Sequence, residues 1–320
     1  METPTNLIEA VQYFSDPDRA HEYLVAMRWP DGVVCPHCQS AEVTYMSKYR
    51  RWKCRGCRKN FSVKYNTILE NSNISLTQWL VAIWLVLNAK NGISSYEIAR
   101  SLGVTQKTGW FMEHRIRKMM ETGSIEKMDG TVEVDETVIG QKSKTMHADK
   151  RQEMRERGFP KTLIFGLRER GGNVQTMVVN DASKETLQGI INEVVEPGSV
   201  VCSDSWTGYI GVSDRYTHGV VDHKKGQYTS GEFGEFSTNG MENYWSLFKR
   251  GYHGTYVQIS TQHAFRYLAE EDFRYNTRKE KDGERFVHAL TSLNGRRLTW
   301  RELTESHLVH LDRGVVQVVS

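Results

Sequence analysis

"VEVDETVIG", residues 132–140, is the stretch on which the reading of this chain turns. Its valines and isoleucine recur at the period of two that marks a strand with distinct faces. Three acids, Glu133, Asp135 and Glu136, interrupt the apolar pattern. A carboxylate turned towards a covered face needs a partner, because burying it unpaired is costly. Alternation puts Glu133 and Asp135 on one face and Glu136 on the other. Glu136 is therefore expected at the surface or an edge, and Glu133 in a supporting place beside Asp135. A lone Asp in a strand is more often a surface or turn residue, so what Asp135 does has to be read from its neighbours.

Those neighbours have a definite order. "TLIFGLRER" (162–170) and "NVQTMVVND" (173–181) flank a "GG" that signals a hairpin. "SKETLQGIINEVV" (183–195) reads as a helix with Leu187, Ile190, Ile191, Val194 and Val195 on its apolar side. "GSVVCSDS" is a short apolar strand ending at Asp204, "THGVVDH" another strand, and "NGMENYWSLFKRG" (239–251) a helix. Three strands, a helix, two strands and a helix match the ribonuclease H-like fold, with an antiparallel start and a parallel continuation. In that fold the centre of the first strand and the end of the fourth lie side by side, and a later helix packs across the edge. Asp135, Asp204 and Glu242 then converge. Alone they would repel one another. Hard oxygen ligands suit Mg2+ or Mn2+, and two such ions at one site can cleave and transfer phosphodiesters.

Asn239 competes with Glu242 for the third position. Two divalent ions bring four positive charges and two aspartates only two negative ones, which favours the ionised Glu242. Asn239 is left as a helix N-cap or auxiliary ligand. At 100° per residue Glu242, Ser246 and Lys249 share a face, with Trp245 at its margin and Arg250 slightly off it. Lys249 is placed either for a DNA phosphate or for solvent. His218, His223 and His253 show no ligand spacing, and no metal is assigned to them.

The N-terminal third has different chemistry. Cys35 and Cys38 in "CPHC", with Cys54 and Cys57 in "CRGC", are two Cys-x-x-Cys turns, enough to close a tetrahedral sulfur site for one structural Zn2+. "KYRRWKCRGCRK" (48–59) holds seven Lys or Arg and no acid. Such a run is either a solvated basic face or a polyanion surface, with Arg50, Arg51, Lys53 and Arg55 as contacts. "SSYEIARSLGVTQKTGWFMEHRIRK" reads as helix, turn, helix: Ser94 or Ser95 caps the first, Gly103 ends it and Thr105 caps the second. The pair is an ordinary helical hairpin or a DNA-binding helix-turn-helix, in which Gln106, Lys107, Arg115 and Lys118 face the groove.

A chain of 320 residues is long enough for several domains. Its longest apolar run, "WLVAIWLVLNA" from Trp79, falls short of the roughly 18 residues of a membrane span and suits a buried helix. "METPTNLIEA" lacks the order of a signal peptide, so a cytoplasmic protein without membrane contact is expected. Five cysteines do not make a secreted disulfide framework, and Cys202 suits a small core residue. The expected class is multidomain α+β and α/β: an N-terminal helix and zinc ribbon over 1–68, a helix-turn-helix over 69–122, a ribonuclease H-like domain over 128–280 and a C-terminal tail over 281–320. The polar, basic segment from Gly140 to Lys161 is a DNA-gripping loop or a solvated insertion.

Motifs along most of the chain carry a resemblance. "RWPDGVVCPHC", "RWKCRGCRKNFSV", "GISSYEIARSLGVTQKTGW", "VEVDETVIG", "CSDSWTGY", "STNGMENYWSLFKRGYHGTY" and "FRYNTR" stand in the order found in the ISXO-like DDE transposases of bacterial insertion sequences. The family's usual Gly-Gly-Lys after the first acid is replaced here by "GQKSK". The resemblance implies metal-dependent strand cleavage and transfer at terminal inverted repeats, with Asp135, Asp204 and Glu242 as the acidic triad. It also implies double-stranded DNA partners, both element ends and target, a homodimer or larger assembly on DNA, and a nucleoid-associated location in a bacterium. The alternative is a DNA-binding regulator that has lost catalysis, for which three converging acids would have no use.

Overall fold

The structure, a computed structural model, describes residues 2–121, 127–140 and 161–305, with the backbone alone of 307–310 and 316–319. The basic segment over 141–160 lies outside the described residues. The chain divides into two compact units, Met1–Glu121 with Thr277–Thr304, and Thr122–Asn276 with Glu305–Ser320. No helix among the described residues is long and apolar enough to cross a membrane.

The first unit opens with helices α1 (Leu7–Phe14) and α2 (Pro17–Arg28). A three-stranded antiparallel sheet follows: β1 (Val43–Met46), β2 (Arg51–Cys54) and β3 (Asn60–Ser62). Alternation along β2 turns Trp52 and Cys54 inward and Arg51 and Lys53 outward. Trp52 packs inside the unit, its ring lying parallel to Phe61 at 5.8 Å and to His21 at 5.6 Å. Helix α3 (Leu76–Asn88) starts at a Ser75/Gln78 capping box and is the apolar run met in the sequence. Its Trp79, Leu80, Ile83, Trp84 and Leu87 are buried, so the run is core. Helices α4 (Ser95–Leu102) and α5 (Gln106–Met120) form the expected pair: Ser94 caps the first with Glu97, Gly103 ends it at φ +67°, and Thr105 caps the second.

Two expectations about this unit are corrected. Residues 282–305 do not form a separate tail: α9 (Asp282–Thr291) and α10 (Trp300–Glu305) are helices, and residues 277–304 belong to the first unit. Phe286 of α9 meets Trp84 at 5.2 Å and Phe14 at 5.7 Å. Removing either ring from so packed a cluster costs about 3–5 kcal/mol. The boundary expected at 68 likewise separates motifs inside one compact unit.

The second unit is built on five strands: β4 (Thr131–Gly140), β5 (Lys161–Glu169), β6 (Val174–Val179), β7 (Val200–Asp204) and β8 (Thr217–Val221). Their order is β6-β5-β4-β7-β8, antiparallel across β6, β5 and β4 and parallel from β4 through β7 to β8. This is the ribonuclease H-like topology. Val132 and Val134 of β4, with Phe165 and Leu167 of β5, pack against helix α6 (Lys184–Val194) on one face. Ile139 and Ile164 pack on the other, against α7 (Asn239–Gly251) and α8 (Thr261–Asn276). Cys202 is buried, as its apolar setting implies. The strand 132–140 therefore has two covered faces, and its acids have to be accommodated among helices.

Candidate active site and metal centre

Glu133 and Asp135 lie on the α7 face of β4, and each is handled differently. The Glu133 carboxylate receives Arg168 at 3.3 Å and Arg170 at 3.4 Å. Its Oε2 also accepts the backbone N–H of Met241 at 2.9 Å, in the first turn of α7. Glu133 thus fixes the start of the helix that carries Glu242, and the positive end of the helix dipole favours an acid there. Gly240 makes room for it. A Cβ at that position would come 2.0 Å from Arg168 Nη1 and 2.6 Å from Glu133 Oε2.

Asp135 has no arginine or lysine partner among the described residues. Across β5 it stands opposite Gly166. A Cβ on Gly166 would lie 2.3 Å from Met241 Cε and 2.7 Å from the Trp245 ring, so the missing side chain lets Trp245 pack closely on the strand beside Asp135. The buried Trp245 Nε1 has no hydrogen-bond partner of normal geometry among the described residues, yet it is close enough to Asp135 to favour the charged carboxylate. On the other side, the parallel register pairs Glu133 with Cys202. Two residues further, it sets Asp135 level with Asp204. The Asp204 Oδ1 is held by the Trp206 backbone N–H at 2.9 Å.

Burial, with the charges of Asp204 and Glu242 adding to it, pushes the Asp135 carboxyl up to about 6. Asp135, Asp204 and Glu242 come from a strand centre, a strand end and a helix, and Asp135 feels the charges of the other two; among the described residues only the four cysteines of the first unit stand close enough together to hold an ion as they are. A cleft of about 650 Å³ opens beside them, lined on α7 by Glu242, Trp245, Ser246, Lys249 and Arg250. Lys249 and Arg250 line the same cleft as the acids.

Three readings made from the sequence change here. Glu136 is not a surface residue. It lines the cleft half-buried and accepts the Tyr209 hydroxyl at 2.6 Å. Burial, with the charges of Asp135 and Asp204, pushes it up to about 7 against that hydrogen bond. Asn239 is the first residue of α7, not its N-cap; Thr238 holds the cap position and Asn239 is exposed. Arg115 is buried: its Nε donates to the Leu298 carbonyl at 3.0 Å, and its guanidinium sits 4.3 Å over Phe111. It faces no groove. Gln106 is half-buried and donates to the Ser95 hydroxyl at 2.8 Å, tying α5 to α4. Lys107 is exposed but lies 4.4 Å over the Trp300 ring. Lys118 is half-buried.

A residue that sequence reasoning set aside joins the site. His223 Nε2 lies 3.0 Å from Glu242 Oε1. A lone histidine in a polar loop carries no spacing that could reveal this.

In the first unit Cys35, Cys38, Cys54 and Cys57 bring all four Sγ atoms within 4.8 Å of one another. Separations of 3.5 Å for Cys38–Cys54 and 3.7 Å for Cys35–Cys57 suit a tetrahedron with sulfurs about 2.3 Å from a central Zn2+. The donor set fits zinc and leaves no open position. Arg51, Lys53 and Arg55 are exposed on the adjacent sheet, whereas Arg50 is paired with Asp18.

The second unit thus has a ribonuclease H-like sheet, and the first carries a four-cysteine ribbon. Residues 127–276 match the ISXO2-like transposase domain, and residues 15–60 match the transposase zinc-ribbon domain. Both matches are to transposase domains, so the chain is similar to the ISXO2-like transposases over both of these regions. It is also similar to a protein of Halobacterium salinarum described as an uncharacterized protein in transposable element ISH50. The two are 24% identical over 256 residues, covering 75% of this chain and 84% of that protein.

Proposed function

We propose that this transposase cleaves DNA at the terminal inverted repeats of its element and joins the freed strand to target DNA, using Asp135, Asp204 and Glu242 to hold two Mg2+ or Mn2+ ions. The observation that carries the reading is the contrast at the cleft. Among the described residues Asp135, Asp204 and Glu242, from three separate elements, have no ion pair with an arginine or lysine, and Asp135 is raised by burial and, beyond that, by the charges of the other two. Such a site is completed by divalent cations. Bound there, two cations supply the Lewis acidity that activates a water or 3′-hydroxyl and stabilises the leaving oxygen.

The chain's own groups do the rest. Glu133 and Gly240 hold the first turn of α7, and so Glu242, against β4. Lys249 and Arg250, lining the same cleft, grip the phosphates flanking the scissile bond. Trp245 shields the acids from one side. The zinc ribbon presents Arg51, Lys53 and Arg55 to the duplex backbone, with Lys107 as a further contact. Binding of that kind falls steeply as salt rises, through release of condensed counterions. The protein works as a dimer or larger assembly, since one event joins two ends.

The test uses the full chain, a labelled duplex carrying the element end, and Mg2+. Wild type is expected to nick at the end of the repeat, and Glu242→Gln to bind the end with unchanged affinity and not nick it. Binding without nicking by wild type would leave a DNA-binding regulator. Nicking by Glu242→Gln at the wild-type rate would require the metal site to be rebuilt around another residue.

A further inference from the structure

The three acids are not equally well placed by their own elements. Asp135 and Asp204 have short side chains on adjacent strands, and the Trp206 N–H holds Asp204. Glu242 has a longer side chain on a helix surface and is 43% exposed. Left to itself it would sample several rotamers. Among the described residues a single side chain lies within hydrogen-bond distance of its carboxylate, His223, in the short turn after β8.

His223 is itself anchored. Its Nε2 is 3.0 Å from the Thr238 hydroxyl as well as 3.0 Å from Glu242 Oε1. Thr238 is buried, and its carbonyl accepts the N–H groups of Met241 and Glu242 at 3.0 Å each. The ring is therefore tied to the first turn of the helix that carries the acid. A ring nitrogen carries either a hydrogen or a lone pair. A lone pair aimed at a carboxylate oxygen would repel it, so Nε2 carries the hydrogen and donates it to Glu242. The Thr238 hydroxyl then takes a share of the same hydrogen as second acceptor.

We infer that His223 is a positioning residue for the third acid: its Nε2–H holds one oxygen of Glu242, which fixes the side chain and leaves its other oxygen free for a cation at the proposed site. This rests on the proposed metal site and adds to it an outer partner that orients a ligand. Loss of such partners typically costs 10–100-fold in metal affinity or activity. Position also matters, because the contact is made through the far ring nitrogen. A glutamine amide nitrogen reaches about where Nε2 sits, and an asparagine amide does not.

The experiment measures nicking of the end duplex by the full chain as Mg2+ is varied, for wild type, His223→Ala, His223→Gln, His223→Asn and Glu242→Gln. End binding and melting midpoints are followed in parallel. His223→Ala and His223→Asn are expected to need about tenfold more Mg2+ for half-maximal rate, with end binding unchanged. His223→Gln should restore a near-wild-type requirement. If His223→Ala fails to fold, the comparison of His223→Gln with His223→Asn decides the matter alone. A wild-type Mg2+ requirement in His223→Ala, or equal impairment in the glutamine and asparagine variants, overturns the inference. Nicking by Glu242→Gln would instead overturn the site itself. Inactive Glu242→Gln beside a normal His223→Ala would remove only the role of His223.

Discussion

Glu133 and Asp135 sit two residues apart on the same face of the same strand, and they have opposite surroundings. Glu133 is met by Arg168, Arg170 and a backbone N–H, so its charge is fully answered by the protein. Asp135 instead feels the like charges of Asp204 and Glu242, and burial with those charges raises it to about 6. The same contrast recurs nearby, where Glu270 and Glu271 of α8 close on Arg274 one turn away. An acid that builds the fold carries its cation in the sequence; on the proposed function, Asp135 would take its cation from solution. The four cysteines of the first unit, with their sulfur atoms within 4.8 Å of one another, are a donor set that fits a metal ion.

This contrast can be attacked in order of expected effect on stability. Structural zinc contributes about 10–16 kcal/mol in isolated finger peptides. Cys54→Ala, or chelation, should release one Zn2+ per chain and abolish the protection from hydrogen exchange of 43–62, while protection of β4 and β5 is kept. Retention of ribbon protection without zinc would show that aromatic packing around Trp52 suffices. Glu133→Gln should come next. It leaves the half-buried Arg168 without a full counter-charge, at a cost of about 1–3 kcal/mol, below that of a fully buried pair because Arg168 and Arg170 both reach solvent. Denaturant unfolding of the metal-free protein measures it, and a loss below about 0.5 kcal/mol would put Glu133 in the same class as surface charges.

Gly166→Ala should cost about 1–3 kcal/mol, because Met241 and Trp245 must shift away from the strand. Since Trp245 lies beside Asp135, cleavage should fall more than stability suggests; an unchanged rate would separate the ring from the site. The smallest effect has the opposite sign. An acid whose value is raised on folding stabilises below its unfolded value and loses that contribution as pH climbs through the folded one. For Asp135 and Glu136 the window runs from about pH 4 to about pH 7. Metal-free wild type should lose stability across it, and Asp135→Asn should remove part of that loss. The gain near pH 7 should be on the order of 1–2 kcal/mol once partial exposure is allowed for. A pH profile identical in Asp135→Asn would mean that the carboxyl is not perturbed.

The sheet was legible because its signals are local. Period-two alternation in 132–140, the Gly-Gly turn at 171–172 and the cap at Ser183 each act over a few residues, and the order of elements then selects the topology. The ribbon was legible because two Cys-x-x-Cys turns have one common geometry. What escaped depends on distant chain. Arg115 looks like a groove-facing cation until Leu298 returns from far along the sequence to take its hydrogen. Glu136 looks like an edge residue until Tyr209 reaches it from beyond α6. Asn239 loses the cap position to Thr238, since the N-terminal turn of α7 is closed by Glu133 from another strand. Periodicity reports which side of an element is apolar. It does not report which polar partner arrives there.

The most direct test of the account is the stoichiometry of Mn2+ binding by zinc-loaded, full-length protein on its end duplex, followed by titration calorimetry and by the loss of free-ion paramagnetic signal. The account predicts two Mn2+ per active site in wild type, their loss in Asp135→Asn, and their retention in a variant such as Asn239→Ala that leaves the acids in place. Equal Mn2+ binding by wild type and Asp135→Asn, or none by wild type, would contradict it.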